Sequence, residues 1–339
     1  MTYYKDYKNK VLQNPEVKSE YDALQYDYQL LEKKELNKNI SKKQFIEDLD
    51  CLFFELKELY GMYNYFGNDK FMYAKAAVIK QLNGSFVFYY ALNTLKKELS
   101  FIKDGHFYVG EPYENKIVFS YAIRYSSYYG IPVIDCKKFY SDFPEEEKQL
   151  AEFAHNGIHY RNNKPLILDF RDNQGGSSTY IYDFLENVLG QEIGYSYRYL
   201  QRCTNLYLNY LELNHIDWKP ELHDVITEEI CPKIRNNKRI YVLINEQTSS
   251  AAEEGIAVLK NIENVTIVGN HTAGRVSAGN CLSLYMPNSH LKTYFGTGLL
   301  LYEGKINIDA EGGFHGDISF EQFDHIIKSI VETQKGPLP

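Results

Sequence analysis

Three hydroxyls stand side by side in "RIYVLINEQTSSAAEEGIAVLKN": Thr248, Ser249 and Ser250, where an apolar, β-branched run passes into a helical pattern. One hydroxyl suffices to cap a helix. A serine at a strand-to-helix elbow exposes its Oγ, and the next N–H, that of Ala251, opens a helix N-terminus where an anion is favoured. Such a serine can serve as a nucleophile, although taken alone Ser250 reads as a cap. The second stretch with chemical potential is "LDFRDNQGG". Gly175 and Gly176 allow backbone conformations closed to other residues and leave N–H groups pointing outward, as an oxyanion-binding loop requires. A lone Gly-Gly reads more simply as a turn. On neighbouring parallel strands the two ends would face each other, one giving half of an oxyanion hole, the other the nucleophile and the second half.

The elements that must position these residues are legible from periodicity. Phe45, Leu49, Leu52, Phe53, Leu56 and Leu59 recur at three- and four-residue steps, one face of a helix. The style continues from Phe71 to Leu99, broken at Asn83-Gly84, so residues 1–100 are expected to form a helical domain. From Lys164 the pattern changes: "KPLILDFR" reads as a buried strand, "STYIYDFLENVLG" as an amphipathic helix, and "RIYVLINE", "AAEEGIAVLKNI" and "VTIVGN" as strand, helix, strand. Strands separated by helices imply parallel βαβ units with right-handed crossovers. The expected fold class is therefore α/β, with residues 101–339 as the second domain, a Tyr-rich helical insertion over about 191–236 and a closing helix in "FEQFDHIIKSIVETQ". In such sheets function sits at the carboxyl ends of the strands.

Composition narrows the class. The 339 residues are 44% hydrophobic and 24% charged, as in a globular protein, and the net charge of -8 argues against nucleic acid or an anionic membrane as the main partner. No apolar run approaches the roughly 18 residues of a membrane span. The polar start "MTYYKDYKNKVLQN" has no signal-peptide core, which for the chain as given reads as cytoplasmic, a trimmed leader aside. Five widely spread cysteines without a CxxC form neither a disulfide framework nor a zinc site; no metal or other cofactor is expected. Composition says nothing about oligomeric state.

"LILDFRDNQGG" resembles the Asp-Leu-Arg-x-Asn-x-Gly-Gly signature of the C-terminal processing, or tail-specific, peptidases. "VLINEQTSSAAEE" is similar to their Ser-Ala-Ser-Ala-Ser-Glu block and "VTIVGNHTAGR" to their Val-Gly-x-x-Thr-x-Gly block, in the same order and spacing. The resemblance implies a ClpP/crotonase-like α/β core, a peptide or protein substrate and hydrolysis through an acyl-enzyme. With Glu253 on the family glutamate, the nucleophile falls on Ser250, and the oxyanion hole on Ala251 with Gly175 or Gly176. In those peptidases a lysine about 25 residues beyond the serine is the base; here Arg275 holds that place. Guanidinium stays protonated and has no lone pair to accept a proton. "SFIKDGHFYV" resembles the Asp-Gly-His motif of the tricorn-like branch, where a histidine activates the serine, which implies His106 as base. "DAEGGFHGDISF" is similar to the family's closing block and implies Glu311 as the acid that orients the histidine. Gly105 stands where that branch's additional serine would be, and Gly316 replaces a proline.

His271, near the entry of Arg275, and His315 are the competing bases. Only 57 residues separate His106 from Lys164, parts of them strand ("GIPVIDCKKF") and helix ("PEEEKQLAEFAHNG"), too short a stretch for the PDZ domain that processing peptidases usually insert. The alternative function is a non-catalytic binding protein on the same fold, as the retinoid-binding repeats of the eye resemble this superfamily, with the Tyr-rich insert lining its pocket. An α/β-hydrolase esterase is disfavoured, since no Gly-x-Ser-x-Gly elbow exists and the histidine precedes the serine.

Overall fold

The computed structural model describes residues 40–82, 86–112, 119–162, 164–216, 225–227 and 231–335. Helix α1 (Lys42–Leu59) starts at a capping box: Ser41 Oγ accepts from the Gln44 N–H at 3.2 Å while Gln44 Oε1 accepts from the Ser41 N–H at 2.8 Å. The predicted stripe from Phe45 to Leu59 is buried. Helices α2 (Tyr63–Phe66), α3 (Asn68–Gln81) and α4 (Phe88–Glu98) follow, the last two flanking the predicted break.

Two five-stranded sheets make up the rest of the framework. The first contains β2 (Ile123–Tyr128), β3 (Ile131–Cys136), β4 (Leu166–Asp169), β7 (Ile240–Leu243) and β8 (Val265–Val268) in the order β2-β3-β4-β7-β8. The β2–β3 pair is an antiparallel hairpin and the other three pairs are parallel. Strands β4 and β7 are buried at every position, as expected for parallel strands covered on both faces. Helices α5 (Pro144–Asn156) and α6 (Thr179–Leu189) share an apolar cluster with one face, and Phe153 and Phe184 stack there at 4.4 Å. Between β2 and β4, then, the chain forms β3 and α5 of this same core. Helix α6 ends at Gly190, whose φ of 71° is a left-handed cap.

The second sheet contains β1 (Tyr108–Gly110), β5 (Tyr197–Gln201), β6 (Val225–Thr227), β9 (Ala278–Tyr285) and β10 (Lys292–Tyr302), all pairs antiparallel. Its residues Leu282, Phe295 and Leu299 belong to the same apolar cluster as α1, α3 and α4. The hydrophobic cluster built by the N-terminal helices therefore extends well past residue 100.

The Tyr-rich segment departs from the helical expectation. Its described part is strand β5, helix α7 (Asn205–Leu213) and strand β6. The alternation in "YSYRYLQ" explains the strand: Tyr197 is buried while Arg198 is exposed, a period of two. Residues 217–224 and 228–230 of the expected insertion lie outside the described residues.

Helix α8 (Ala251–Lys260) follows β7 and is buried nearly throughout. Helix α9 (Phe320–Lys335) closes the opposite face, packing Phe323 and Ile327 on Ile167, Tyr241 and Leu243. In the β4–β7 register Asp169 pairs with Leu243, so the loops carrying Gly175-Gly176 and Ser250 leave the sheet side by side.

Candidate active site

Ser250 is the N-cap of α8, with φ 57° and ψ −125°. A non-glycine residue there costs about 1–3 kcal/mol, so the surroundings must impose it. They do so from both sides. Before the elbow, the Thr248 hydroxyl donates to the Phe170 carbonyl at 2.8 Å, and the Ser249 N–H donates to the Asn173 carbonyl at 2.8 Å. After it, Glu253 Oε2 accepts from the Ser250 N–H at 3.1 Å. Thr248 and Ser249 are buried, whereas Ser250 opens onto a cleft of about 840 Å³. The Thr248 hydroxyl and the Ser249 backbone thus brace the elbow that carries Ser250.

Glu253 is the hub of this bracing. Fully buried, it also accepts from Thr272 Oγ1 at 2.5 Å, from the Gly274 N–H at 3.0 Å and from the Arg275 N–H at 2.8 Å. Burial pushes its carboxyl up to about 7, against the pull of these donors.

The Gly-Gly loop presses against the elbow. A Cβ at Gly175 would stand 2.6 Å from Ser250 Cβ and 2.9 Å from the Ala251 nitrogen, and the φ of 85° itself disfavours a side chain. The Gly175 N–H is engaged, donating to Asn173 Oδ1 at 2.8 Å. Of the two glycines, Gly176 is the one whose N–H Asn173 does not take.

His106 lines the same cleft as Ser250, Gly176 and Arg275. It is held by Asp104, whose Oδ1 accepts from the His106 N–H at 2.8 Å and whose Oδ2 accepts from the Tyr60 hydroxyl at 2.8 Å. Burial pushes Asp104 up to about 7. His106 Nδ1 is buried and has no hydrogen-bond partner. Desolvation lowers the His106 pKa below its ordinary 6.5, opposed by the nearby Asp309 charge and by a bond to the Ala278 backbone. The ring is thus neutral near pH 7 and able to accept a proton.

Glu311 is not placed as the resemblance implied. It closes a short 3-10 turn (Asp309–Glu311), its side chain 52% exposed and its carboxylate on Lys305 Nζ at 2.6 Å. The acid that bears on His106 is Asp309, two residues earlier. Its Oδ1 accepts from the Val276 N–H, the Ser277 N–H and the Ser277 hydroxyl, each at 2.9 Å, and its Oδ2 from the Gly105 N–H at 3.3 Å. In a 3-10 turn successive side chains point about a third of a turn apart, so a shift of two residues exchanges an inward for an outward carboxylate. The sequence reading missed Asp309; its cue was a second acid in the same block, which spacing alone could not rank.

The rival bases lie elsewhere. His271 Nδ1 is 2.7 Å from the Thr272 carbonyl oxygen, the ring faces His315 at 6.0 Å, and neither histidine lines the cleft. Gly105 also finds its reason: a Cβ there would collide with the Gly274 carbonyl and the Arg275 side chain, so the turn bearing His106 lies directly on that backbone. No group of His, Cys, Asp and Glu among the described residues is arranged to hold a metal ion.

Comparison with known proteins agrees with this architecture. The profile of peptidase family S41 matches residues 130–312, more than half of the chain. The chain belongs to peptidase family S41 and is a serine peptidase. Its fold is similar to that of a candidate peptidase from Parabacteroides merdae, with 18% identity, a TM-score of 0.55, and 84% of this chain and 95% of that one covered. It is also similar to a lipoprotein from Streptococcus agalactiae, with 15% identity, a TM-score of 0.51, and 85% and 96% covered. No curated protein matches the chain. Among the described residues no helix is long and apolar enough to cross a membrane.

Proposed function

We propose that the protein hydrolyses peptide bonds through an acyl-enzyme, with Ser250 as nucleophile and His106 as general base. The observation that carries this reading is a strained serine and a histidine that line one cleft, the histidine with a buried nitrogen that has no partner. The Ala278 carbonyl accepts a hydrogen bond from one ring N–H, and Nδ1, the nitrogen without a partner, keeps the lone pair that receives the Ser250 proton. Ser250 Oγ then adds to the substrate carbonyl, and the negative oxygen is stabilised by the N–H groups of Ala251 and Gly176. The protonated His106 returns its proton to the leaving amine, and a water hydrolyses the ester by the same steps. Asp309 positions the machinery: its negative charge favours the imidazolium, and its bonds tie the His106 turn to the strand entering β9.

Labelling with a fluorophosphonate tests the assignment. Wild-type protein is expected to be modified at Ser250, with labelling abolished in Ser250→Ala and reduced at least about a hundredfold in His106→Ala. Undiminished labelling of His106→Ala would overturn the role of the histidine.

A further inference from the structure

Glu254 lies one helical turn beyond Ser250 on α8 and lines the same cleft. Its carboxylate is bonded by the Ser178 side chain and, at 3.5 Å, by the Tyr197 hydroxyl. The phenols of Tyr182, Tyr197 and Tyr199 all lie within its field. Among the described residues no lysine, arginine or histidine pairs with it; Arg275 lines the cleft too but makes no ion pair with Glu254. A carboxylate withdrawn from water without a cation is costly, and burial accordingly raises its pKa.

Gly279 lines the cleft beside this carboxylate. A methyl at Gly279 on β9 would stand 3.6 Å from the Tyr199 ring and 4.0 Å from Glu254 Oε1, ordinary contact distances. A larger side chain there would fill the recess. Its carboxylate floor suits an ammonium or guanidinium, through charge and hydrogen bonding.

We propose that Glu254, with Ser178 and Gly279, forms a subsite for a lysine or arginine side chain of the substrate, close to the bond that Ser250 attacks. The proposal deepens the peptidase reading and rests on it for the position of the scissile bond. Residues one turn apart on a helix are separated by about 6 Å along its axis, within reach of a side chain next to the reacting carbonyl. An arriving cation draws the carboxyl into its ionised form, so binding and ionisation reinforce each other.

The test has a binding arm and a hydrolysis arm, both on the full chain. In the first, Ser250→Ala protein is titrated with peptides identical except for one Lys, Gln or Leu. The Lys peptide is expected to bind about tenfold or more tightly than the others, and the preference to vanish in Ser250→Ala/Glu254→Gln. Ser250→Ala/Gly279→Val keeps the carboxylate but fills the recess, and should lose the Lys peptide as well. In the second arm, kcat/KM of otherwise wild-type protein should show the same preference, and Glu254→Gln should retain the turnover of neutral peptides and the labelling of Ser250. Equal binding of the three peptides, or a Lys preference that survives both variants, overturns the subsite. Selective binding without hydrolysis or labelling supports the subsite and overturns Ser250 as nucleophile.

Discussion

Replacing Glu253 by Gln keeps the shape of the group that braces the elbow and removes its titration. The unfolded chain releases this proton near 4.5, the native protein near 7. Between those values the native state binds more protons than the unfolded one, so its stability falls as pH rises, the reverse of a salt-bridged carboxylate. The contribution of Glu253 is fully present below about 4.5, and some 3 kcal/mol of it is gone by pH 8. Gln never titrates, but its NH2 turns two hydrogens toward two of the four donors that meet Glu253. Each buried donor left without an acceptor costs about 1–3 kcal/mol, hence about 2–6 kcal/mol together. The variant should be less stable than wild type by that amount near pH 4.5, and the deficit should shrink by about 3 kcal/mol at pH 8. Urea denaturation of both proteins at the two pH values measures the difference. A deficit that is constant or grows with pH would refute the reasoning, since it would mean that the four donors outweigh desolvation and keep Glu253 ionised throughout.

The remaining predictions concern catalysis. Gly175→Ala places a methyl 2.6 Å from Ser250 Cβ at a φ that disfavours it, and should lower kcat/KM by about a hundredfold or more even where circular dichroism is unchanged. Asp309→Asn should cost about a hundredfold or more in kcat, while Glu311→Gln, acting on a surface pair with Lys305, should stay within about twofold of wild type; the opposite ranking would restore Glu311 as the orienting acid. Because desolvation lowers the His106 pKa, kcat/KM should rise with pH through a limb below 6.5 and then level off, and a profile still climbing at pH 8 would point to another base. His271→Asn, outside the cleft, should leave turnover within about twofold; a large loss would return it to candidacy.

The chemistry was legible in the chain wherever it depends on consecutive residues. A run of apolar residues, then hydroxyls, then small residues is a strand feeding a helix through a serine elbow, because strand, cap and helix each have local preferences. The Gly-Gly turn and the βαβ alternation follow for the same reason, as does the exclusion of Arg275 as a base, which is a property of guanidinium itself. Tertiary structure decided what distance in sequence conceals. Whether Asp309 or Glu311 bears on His106 depends on which side of one short turn faces the Gly105 backbone. Which glycine N–H remains for an oxyanion depends on Asn173 having taken the other. The Tyr-rich segment became strand and helix because β10 offered it an edge to pair with, and Glu254 of α8 shares the cleft with Gly279 of β9 because two separate elements meet there. Such choices are made by packing between elements far apart in the chain, and local preference carries no term for them.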